Sequence, residues 1–478
     1  MGTYILLIIA TYLGVILLIS YFTGKKSVDN DAFFLGNRKS PWYIVAIGML
    51  GDSISGVTFV SVPGMVGGFD MTYMQLVAGF FFGYLIVAYV LLPLYYRLNL
   101  TSIYSYLEHR FGTYSYKTGA SFFILSRIIG SASKLYLIAL ILQALVFGPW
   151  GIPFYGTVTG IIVVIWGYTF RSGMKTIIWT DVLQTLCLLT ALVLIIGQVS
   201  VKLDFSITDI VNTVSASSHS RIFEFADWNS PQHFVKQFLS GIFIVIVMTG
   251  LDQNMMQKNL TCRTLKDAQK NMVTYGFGFI PMNYLFLVLG ILLLTFAAQF
   301  NIQLPEKSDE ILPMLAAEYL GLPVLICFTI GIVAASFSNA DSALTSLTTS
   351  FCVDILGTSK KNQSAANRIR HIVHGLMSVA FLLMIFLIDQ LGQSNILDTI
   401  YKAASYTYGP LLGLYAFGMF TKLKPADKWI PLVCILAPLV SFVLEYVLLH
   451  NFGYKIGYEI LLFNGLLTAI GLACISKK

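Results

Sequence analysis

A row of oxygen-bearing side chains lies within the apolar run Leu322–Phe351. Ser338, Asp341, Ser342 and Thr345 follow the spacing i, i+3, i+4, i+7, which puts them on one face of a helix. Such a face suits a hard cation such as Na⁺, which prefers oxygen ligands, and hydrogen bonding to a neighbouring helix is the alternative. Because a carboxylate is costly inside an apolar span, Asp341 favours ion binding.

A second polar group lies in the middle of the apolar run Trp42–Val66. Residues Gly51–Gly56 read Gly-Asp-Ser-Ile-Ser-Gly, which is a poor helix former. Backbone that leaves a helix inside a membrane must be buried or must line a polar site. Interrupted helices of this kind bind ions and solutes in many secondary transporters. A tightly packed, glycine-kinked helix is the alternative, but Asp52 and the nearby hydroxyls favour a functional break.

Three more charged residues fall inside apolar runs. Asp181 lies near one end of its run, and Arg127 and Lys134 lie within Thr118–Phe147. On its own, Asp181 is equally compatible with a carboxylate placed at a helix N-terminus. The two cations either pair with carboxylates such as Asp181 or Asp341 or bind an anionic group of a solute.

The composition indicates that membrane-spanning helices position these residues. Of the 478 residues, 56% are hydrophobic and only 11% are charged, and the mean hydropathy is +0.76. An ordinary soluble domain carries about 25% charged residues. This chain therefore cannot cover a water-facing surface, which excludes a soluble enzyme, a nucleic-acid-binding protein and a disordered scaffold. About 13 apolar segments indicate an all-α polytopic membrane protein.

The placement of basic residues predicts the orientation. Most of the 30 Lys and Arg residues, Lys258 among them, fall in alternate loops, which are cytoplasmic by the positive-inside rule. The N-terminus is then outside and the C-terminus cytoplasmic. The longest loops, Lys202–Gln237 and Gln299–Glu318, are both external, and a short helix is predicted at Asp309–Tyr319.

Five segments resemble signatures of the bacterial and animal sodium:solute symporter family. In chain order they are Leu100–Gly112, Gly173–Gln184, Asp252–Leu260 with Leu265–Lys270, Ala334–Ser346, and Gly409–Phe420. They occur in the order found in the family and span nearly the whole chain. The chain is therefore identified as a bacterial member of this family.

The resemblance implies a LeuT-type fold, in which two repeats of five helices have inverted topology. One transporter domain then fills residues 1–478. Its predicted parts are an extra span at 4–22, a first repeat at 42–201, a second at 238–420 and two final spans at 429–475. The second repeat should also begin with a broken span, with a plausible break at Thr249-Gly250.

The resemblance also implies a main Na⁺ site between the broken first core helix and the eighth core helix. Carried over to this chain, the ligands are the backbone carbonyls of Gly51, Ile54 and Ala335 and the side chains of Ser338 and Asn339. Asn339 stands where the family usually has a second hydroxyl. Its amide oxygen can still bind Na⁺, while affinity and ion selectivity are left open.

Some family members bind a further Na⁺ at a position matched here by Asp181, Ser338, Asp341 and Ser342. Asp341 replaces a hydroxyl of several relatives. Two carboxylates at one position either bind a cation or share a proton. This second cation or proton site is therefore expected to hold Na⁺, H⁺ or an ion pair with Lys134 or Arg127.

The solute-facing positions of the family match Ser55, Thr58 and, more loosely, Gln75. Members that transport sialic acid carry an arginine in the fourth span. The aligned residue here is Gly130, with Arg127 and Lys134 one turn away on either side. This difference argues against sialic acid as the solute of this chain. Another acid is still compatible with the sequence.

These observations predict a secondary active transporter for Na⁺-coupled uptake of a small polar solute such as a sugar, polyol or sugar acid. No GxSxG, HExxH or Walker sequence points to an enzyme or an ATP-driven pump. A proton-coupled symporter using Asp181 and Asp341 and a non-transporting nutrient sensor are the alternatives. The expected partners are Na⁺, the solute and the bilayer of the bacterial inner membrane, without nucleic acid, for a protein that functions as a monomer.

Overall fold

The structure is a computed structural model that describes residues 6–7, 9–16, 18, 38–100, 102–169, 174–358, 362–391 and 396–477, nearly all of them helical. The first predicted span, Tyr4–Phe22, lies partly outside these residues, and residues 9–16 of it are helical. The helices of the first half are α1 (Trp42–Ser53), α2 (Gly56–Gly64), α3 (Val66–Phe69), α4 (Tyr73–Ile86), α5 (Leu92–Arg97), α6 (Ser105–Arg110), α7 (Thr113–Leu142), α8 (Phe154–Thr169) and α9 (Met174–Leu203). The helices of the second half are α10 (Ile207–Ala216), α11 (Phe234–Val245), α12 (Gln253–Asn259), α13 (Leu265–Gln299), α14 (Ile311–Glu318), α15 (Leu322–Ser350), α16 (Gln363–Leu391), α17 (Ile396–Phe420), α18 (Ile430–Phe452) and α19 (Ile460–Cys474).

Short π-helical and 3₁₀ segments extend or connect these helices. The π segments are Val87–Leu91, Gln143–Phe147, Ile246–Gly250 and Phe351–Ile355, and the 3₁₀ segments are Gly148–Trp150, Ser218–Ser220, Ser308–Glu310 and Asp427–Trp429. Two short strands, β1 (Lys424–Pro425) and β2 (Ser476–Lys477), pair antiparallel with Lys424 opposite Lys477.

Among the described residues, seven helices are long and apolar enough to cross a membrane, and two bent helix pairs bring the number of such spans to nine. Two shorter apolar helices lie at Phe154–Gly167 and Ile460–Cys474. The predicted all-α membrane protein is therefore confirmed, and the number of 13 spans stays a prediction.

The predicted break in the second span is confirmed. Helices α1 and α2 bend by 57° where they meet at Ile54 and Ser55. Ser55 has an extended backbone, with φ −83° and ψ 169°, because the sequence at this point does not sustain a helix. The carboxyl end of α1 and the amino end of α2 thus meet inside the protein.

A second break separates α11, with its π-helical extension, from α12. The two parts bend by 70° after Gly250, which agrees with the predicted break at Thr249-Gly250. Asp252 is extended there, and its side chain accepts a hydrogen bond from the backbone N–H of Met255 at 3.1 Å. A side-chain cap of this kind satisfies one of the free N–H groups of a helix start.

The two broken spans are joined at one end. Ser40, just before α1, donates a backbone hydrogen bond to Thr261, just after α12, at 3.1 Å. Helices α9, α13 and α15 pack around α1, and α7 packs on α15 and α17. The breaks therefore lie among other helices and away from the periphery.

Helices α4 and α11 cross at two glycines. A Cβ on Gly79 would lie 2.1 Å from the backbone oxygen of Phe238, and one on Gly241 would lie 2.3 Å from that of Leu76. Small residues let helices in a membrane approach each other this closely. The crossing holds α11, the first part of the second broken span, closely against α4.

The long loops carry short helices. The predicted helix near Asp309–Tyr319 is confirmed by the 3₁₀ segment at Ser308 and helix α14. A Cβ on Gly64 would lie 2.1 Å from the backbone oxygen of Ser308, so this loop lies directly against the end of α2.

Gly79→Val is expected to push α4 and α11 apart, because its side chain would overlap the backbone of α11. Overpacking typically costs about 1–3 kcal/mol, so the melting temperature of the detergent-purified protein should fall. Gly197→Val is the matched control, since a Cβ on Gly197 in α9 meets no atom within 4 Å. Equal melting temperatures for the two variants would contradict the close crossing.

Candidate functional site

Asp52, the next-to-last residue of α1, is 1% exposed and contacts two other helices. Its Oδ2 accepts a hydrogen bond from Asn254 Nδ2 of α12 at 2.7 Å and lies 3.0 Å from Lys258 Nζ. Its backbone oxygen accepts a hydrogen bond from Asn339 Nδ2 of α15 at 2.9 Å. One carboxylate therefore holds the end of α1 against α12 and α15.

Lys258 bridges two carboxylates. Its Nζ lies 2.6 Å from Asp181 Oδ2 in α9 and 3.0 Å from Asp52 Oδ2. The side chain is 1% exposed. The expectation that Lys258 lies in a cytoplasmic loop is wrong, because all of α12 is buried although most of its residues are polar.

A signal for this burial was present in the sequence. The polar run of α12 directly follows the predicted break at Thr249-Gly250, where a short half-helix inside the protein needs no lipid-facing side chains.

Asp181 is bound through both of its oxygens. Oδ2 contacts Lys258, and Oδ1 accepts a hydrogen bond from Ser338 Oγ of α15 at 2.5 Å. The proposed pairing of Asp181 with Lys134 or Arg127 is therefore replaced by a pairing with Lys258. A buried carboxylate is stable only with such partners.

The residues expected to bind Na⁺ lie where α1, α9 and α15 meet. Ala335, Ser338, Asn339, Asp341 and Ser342 are all buried in α15. Gly51 is buried in the last turn of α1, and Ile54 follows at the break. Asn339 already contacts the backbone at Asp52, so the matched positions do converge.

Unpartnered oxygens on α15 fit a hard cation. Within the described part of the chain, Asn339 Oδ1, Ser342 Oγ and Thr345 Oγ1 are buried and have no hydrogen-bond partner. Ser338 Oγ donates its proton to Asp181, which leaves its lone pairs free to accept. Buried polar atoms normally have partners, so these oxygens support Na⁺ as a bound co-substrate.

Two glycines permit the close approach of the broken helix. A Cβ on Gly51 would lie 1.9 Å from Thr185 Oγ1 of α9, and one on Gly56 would lie 2.7 Å from Ser336 Oγ of α15. The glycine-kinked packing and the functional break are therefore both features of the same segment.

A cavity opens beside the break. It contains about 640 Å³ of empty space, part of it open to solvent. Ser55, Thr58, Arg127 and Lys134 line it, as expected for a solute site. Its other lining residues include the aromatic side chains of Phe80, Tyr84, Tyr275, Phe279 and Tyr401.

Gln75 does not line this cavity. Its Nε2 donates to the backbone oxygen of Gln232 at 2.9 Å, and its Oε1 accepts from the backbone N–H of Glu224 at 3.0 Å. The looser family match that suggested solute contact is corrected, since both ends of the Gln75 amide are used to hold a loop.

Arg127 of α7 projects between two carboxylates without binding either tightly. Nη2 lies 3.9 Å from Asp52 Oδ1, and Nη1 lies 3.7 Å from Asp252 Oδ2. Tyr408 donates a hydrogen bond to Asp252 Oδ2 at 2.6 Å. Among the described residues, Arg127 Nε and Nη2 have no hydrogen-bond acceptor.

Gly130 leaves space next to Arg127. A Cβ on Gly130 would meet no atom within 4 Å, and Gly130 lines a smaller cavity together with Arg127 and Lys134. The two cations thus flank open space at the position where the sialic-acid-transporting members of the family carry an arginine.

Two broken helices, buried oxygens and an adjacent polar cavity together define a secondary transporter. Residues 33–425 match the model of the sodium:solute symporter family. The chain is 26% identical over 480 residues to the sodium/sialic acid symporter NanT of Aliivibrio fischeri, covering 98% of this chain and 93% of that protein. It is 25% identical over 430 residues to the sodium/sialic acid symporter SiaT of Proteus mirabilis, covering 86% and 83%.

A solved structure shows the same fold. The substrate-bound, outward-open state of a Na⁺-coupled sialic acid symporter matches with a TM-score of 0.83 at 22% identity, covering 99% of this chain and 98% of that one. The chain therefore belongs to the sodium:solute symporter family and has the LeuT-type fold. It is a membrane transporter and not an enzyme, and Na⁺ as its coupling ion is confirmed at the level of the family.

Asp52→Asn is expected to destabilise the protein, because the change removes a negative charge from beside Lys258 and Arg127. Breaking a buried ion pair lowers the free energy of unfolding by about 3–5 kcal/mol. The low end of this range applies here, because Lys258 still has the Asp181 carboxylate as a partner. The melting temperature in detergent should fall clearly.

Glu306→Gln is the matched control, because Glu306 is exposed and undergoes the same chemical change. A shift no larger for Asp52→Asn than for Glu306→Gln would contradict the role of Asp52 in joining the helices.

Proposed function

We propose that the protein takes up a small polar solute with a carboxylate group, of the sugar-acid class, together with Na⁺. The observation that carries this proposal is the Arg127 guanidinium, which lines the cavity. Two of its N–H-bearing nitrogens have no acceptor in the part of the chain that the structure describes. A buried donor without a partner costs free energy. A solute carboxylate would supply the missing acceptors.

The guanidinium suits this role chemically. Its planar fork matches the two oxygens of a carboxylate, and pairs of this type are short and strong. The carboxylates of Asp52 and Asp252 lie 3.9 and 3.7 Å away, beyond direct hydrogen bonding. Lys134 lines the same cavity and adds a second positive charge for an anionic solute.

The rest of the cavity suits a hydroxyl-bearing ring. Ser55 and Thr58 offer hydroxyls from the start of α2. Tyr275 OH lies 2.5 Å from Ser53 Oγ and accepts a hydrogen bond from Tyr84 OH at 2.9 Å. Aromatic faces with polar tips are common where a ligand has both apolar and polar surfaces.

The break provides the coupling. The proposed Na⁺ ligands Gly51 and Ile54 end α1, while the proposed solute contacts Ser55 and Thr58 begin α2. Na⁺ would order the break against α15 and thereby order the solute contacts. Each ligand must then raise the affinity of the other. An inward potential would assist uptake by about 2.3 kcal/mol per charge per 100 mV.

The sialic acid named for the two bacterial relatives is a nine-carbon sugar acid, which supports this solute class. Gly130 in place of the arginine suggests that the acid is bound differently here, through Arg127.

We further propose that the chain functions as a monomer in a bacterial inner membrane, with the N-terminus outside and the C-terminus in the cytoplasm. The engagement of Asp181 by Lys258 and Ser338 favours Na⁺ over a proton carried by Asp181.

Ser338→Ala is expected to raise the Na⁺ concentration for half-maximal uptake about tenfold or more, since an oxygen that binds a charged group contributes about 1.5–3 kcal/mol. Uptake of labelled sugar acids into proteoliposomes with an inward Na⁺ gradient measures this.

Ser346→Ala is the control, because Ser346 is buried in the same helix and its hydroxyl donates a hydrogen bond to the backbone oxygen of Ala343 at 3.0 Å. Wild-type Na⁺ dependence in the Ser338 variant would remove Ser338 from the site.

Arg127→Gln is expected to remove a preference for acids over their neutral counterparts. The wild type should bind galacturonate more tightly than galactose, and N-acetylneuraminate more tightly than N-acetylmannosamine. Loss of a charged hydrogen-bond pair should weaken acid binding about tenfold or more. Isothermal titration calorimetry in Na⁺ buffer measures both members of each pair.

Arg97→Gln is the control for this experiment, because Arg97 is exposed at the end of α5. An unchanged acid preference in Arg127→Gln, or a wild type that binds no acid of a wider panel, would contradict the proposal.

A further inference from the structure

The geometry points to Lys258 as a tethered cation that permanently fills the second cation position, so that this protein binds one Na⁺ and not two. The inference rests on the Na⁺ coupling in the proposed function but not on the identity of the solute. It assigns to an ammonium group the position that the family comparison left open between Na⁺, H⁺ and an ion pair.

The Lys258 ammonium and the Ser338 hydroxyl already contact the two carboxylate oxygens of Asp181. Oδ2 of Asp181 contacts Lys258 Nζ at 2.6 Å, and Oδ1 accepts the Ser338 hydroxyl at 2.5 Å. A second Na⁺ bound by Asp181 and Ser338 would need these same oxygens. It would also lie next to a positive charge in a region of low dielectric, where like charges repel strongly.

The ammonium is also fixed in place by its backbone. Lys258 lies in the last turn of the short helix α12, which Asp252 caps at its start. The backbone oxygen of Lys258 accepts hydrogen bonds from Thr261 Oγ1 at 2.6 Å and from Thr261 N at 3.1 Å. The Lys258 side chain is 1% exposed, so it is almost completely enclosed by the protein.

The main Na⁺ site is left available by this arrangement. Asn339 donates a hydrogen bond from Nδ2 to the backbone oxygen of Asp52 near the end of α1. Its Oδ1 has no hydrogen-bond partner among the described residues, Lys258 included. One metal cation and one ammonium can therefore serve two adjacent positions, with Asp52 and Asp181 as their counter-charges.

The test is the number of Na⁺ ions bound at saturation, measured by equilibrium dialysis of purified protein with ²²Na⁺ and no solute. The wild type is expected to bind one. Lys258→Met keeps most of the length of the side chain but removes its charge, so Asp181 gains Na⁺ and the number rises to two. Lys258→Met combined with Asp181→Asn removes the charge and its counter-charge, so the number returns to one.

Two Na⁺ ions bound by the wild type, or a single Na⁺ bound by a monodisperse Lys258→Met protein, would overturn the inference. Lys258→Arg retains the positive charge and is expected to stay at one ion. If Lys258→Met does not purify as a folded protein, the stoichiometry of the wild type and of the double variant decides. Because no solute is present, failure of the sugar-acid proposal leaves this result unaffected, whereas binding of no Na⁺ would contradict both.

Discussion

The bridge from Asp52 through Lys258 to Asp181 is the interaction on which the rest of the site depends. Three charged groups are buried in the interior of a membrane protein, at 1% exposure or less. Charges in such surroundings persist only when they are paired and hydrogen-bonded. The pairing requires the ends of α1 and α12 and the first third of α9 to meet at one point. Removal of the Lys258 ammonium would leave the buried carboxylates of Asp52 and Asp181 without the cation that they share.

This requirement explains why both core spans are interrupted. A continuous helix would carry Asp52 or Lys258 past the meeting point and would leave no backbone carbonyls free for an ion. The break places the end of α1 against Asn339 and the start of α2 beside the cavity with Arg127. In the proposed function, ion binding and solute binding act on the same few residues of backbone, which is the proposed physical basis of coupling.

Much of this was predictable from sequence because it depends on local rules. The run Gly51–Gly56 cannot continue a helix, and the structure bends there by 57°. Helical spacing put Ser338 and Ser342 on one buried face, and the family resemblance brought Asp181 to Ser338, which it contacts. Length and apolar composition identified the long spans.

What could not be predicted depends on tertiary contacts. Lys258 reads as a loop lysine because the positive-inside rule counts charges without knowing that a short helix is enclosed by others. Gln75 matches a solute-facing position, but its amide is taken by loop backbone at Gln232 and Glu224. The partners of Arg127 depend on where the second break points Asp252, which no local pattern specifies.

The coupling between Na⁺ and the solute is tested most directly by the affinity for a sugar acid measured with and without Na⁺. Isothermal titration of galacturonate or N-acetylneuraminate into the purified protein would compare Na⁺ with choline at equal ionic strength. We expect Na⁺ to tighten binding by roughly 5–150-fold, the range of typical coupling free energies, and Ser338→Ala to remove most of that gain. Equal affinity in the two salts, for an acid that does bind, would contradict the claim that the break couples ion and solute.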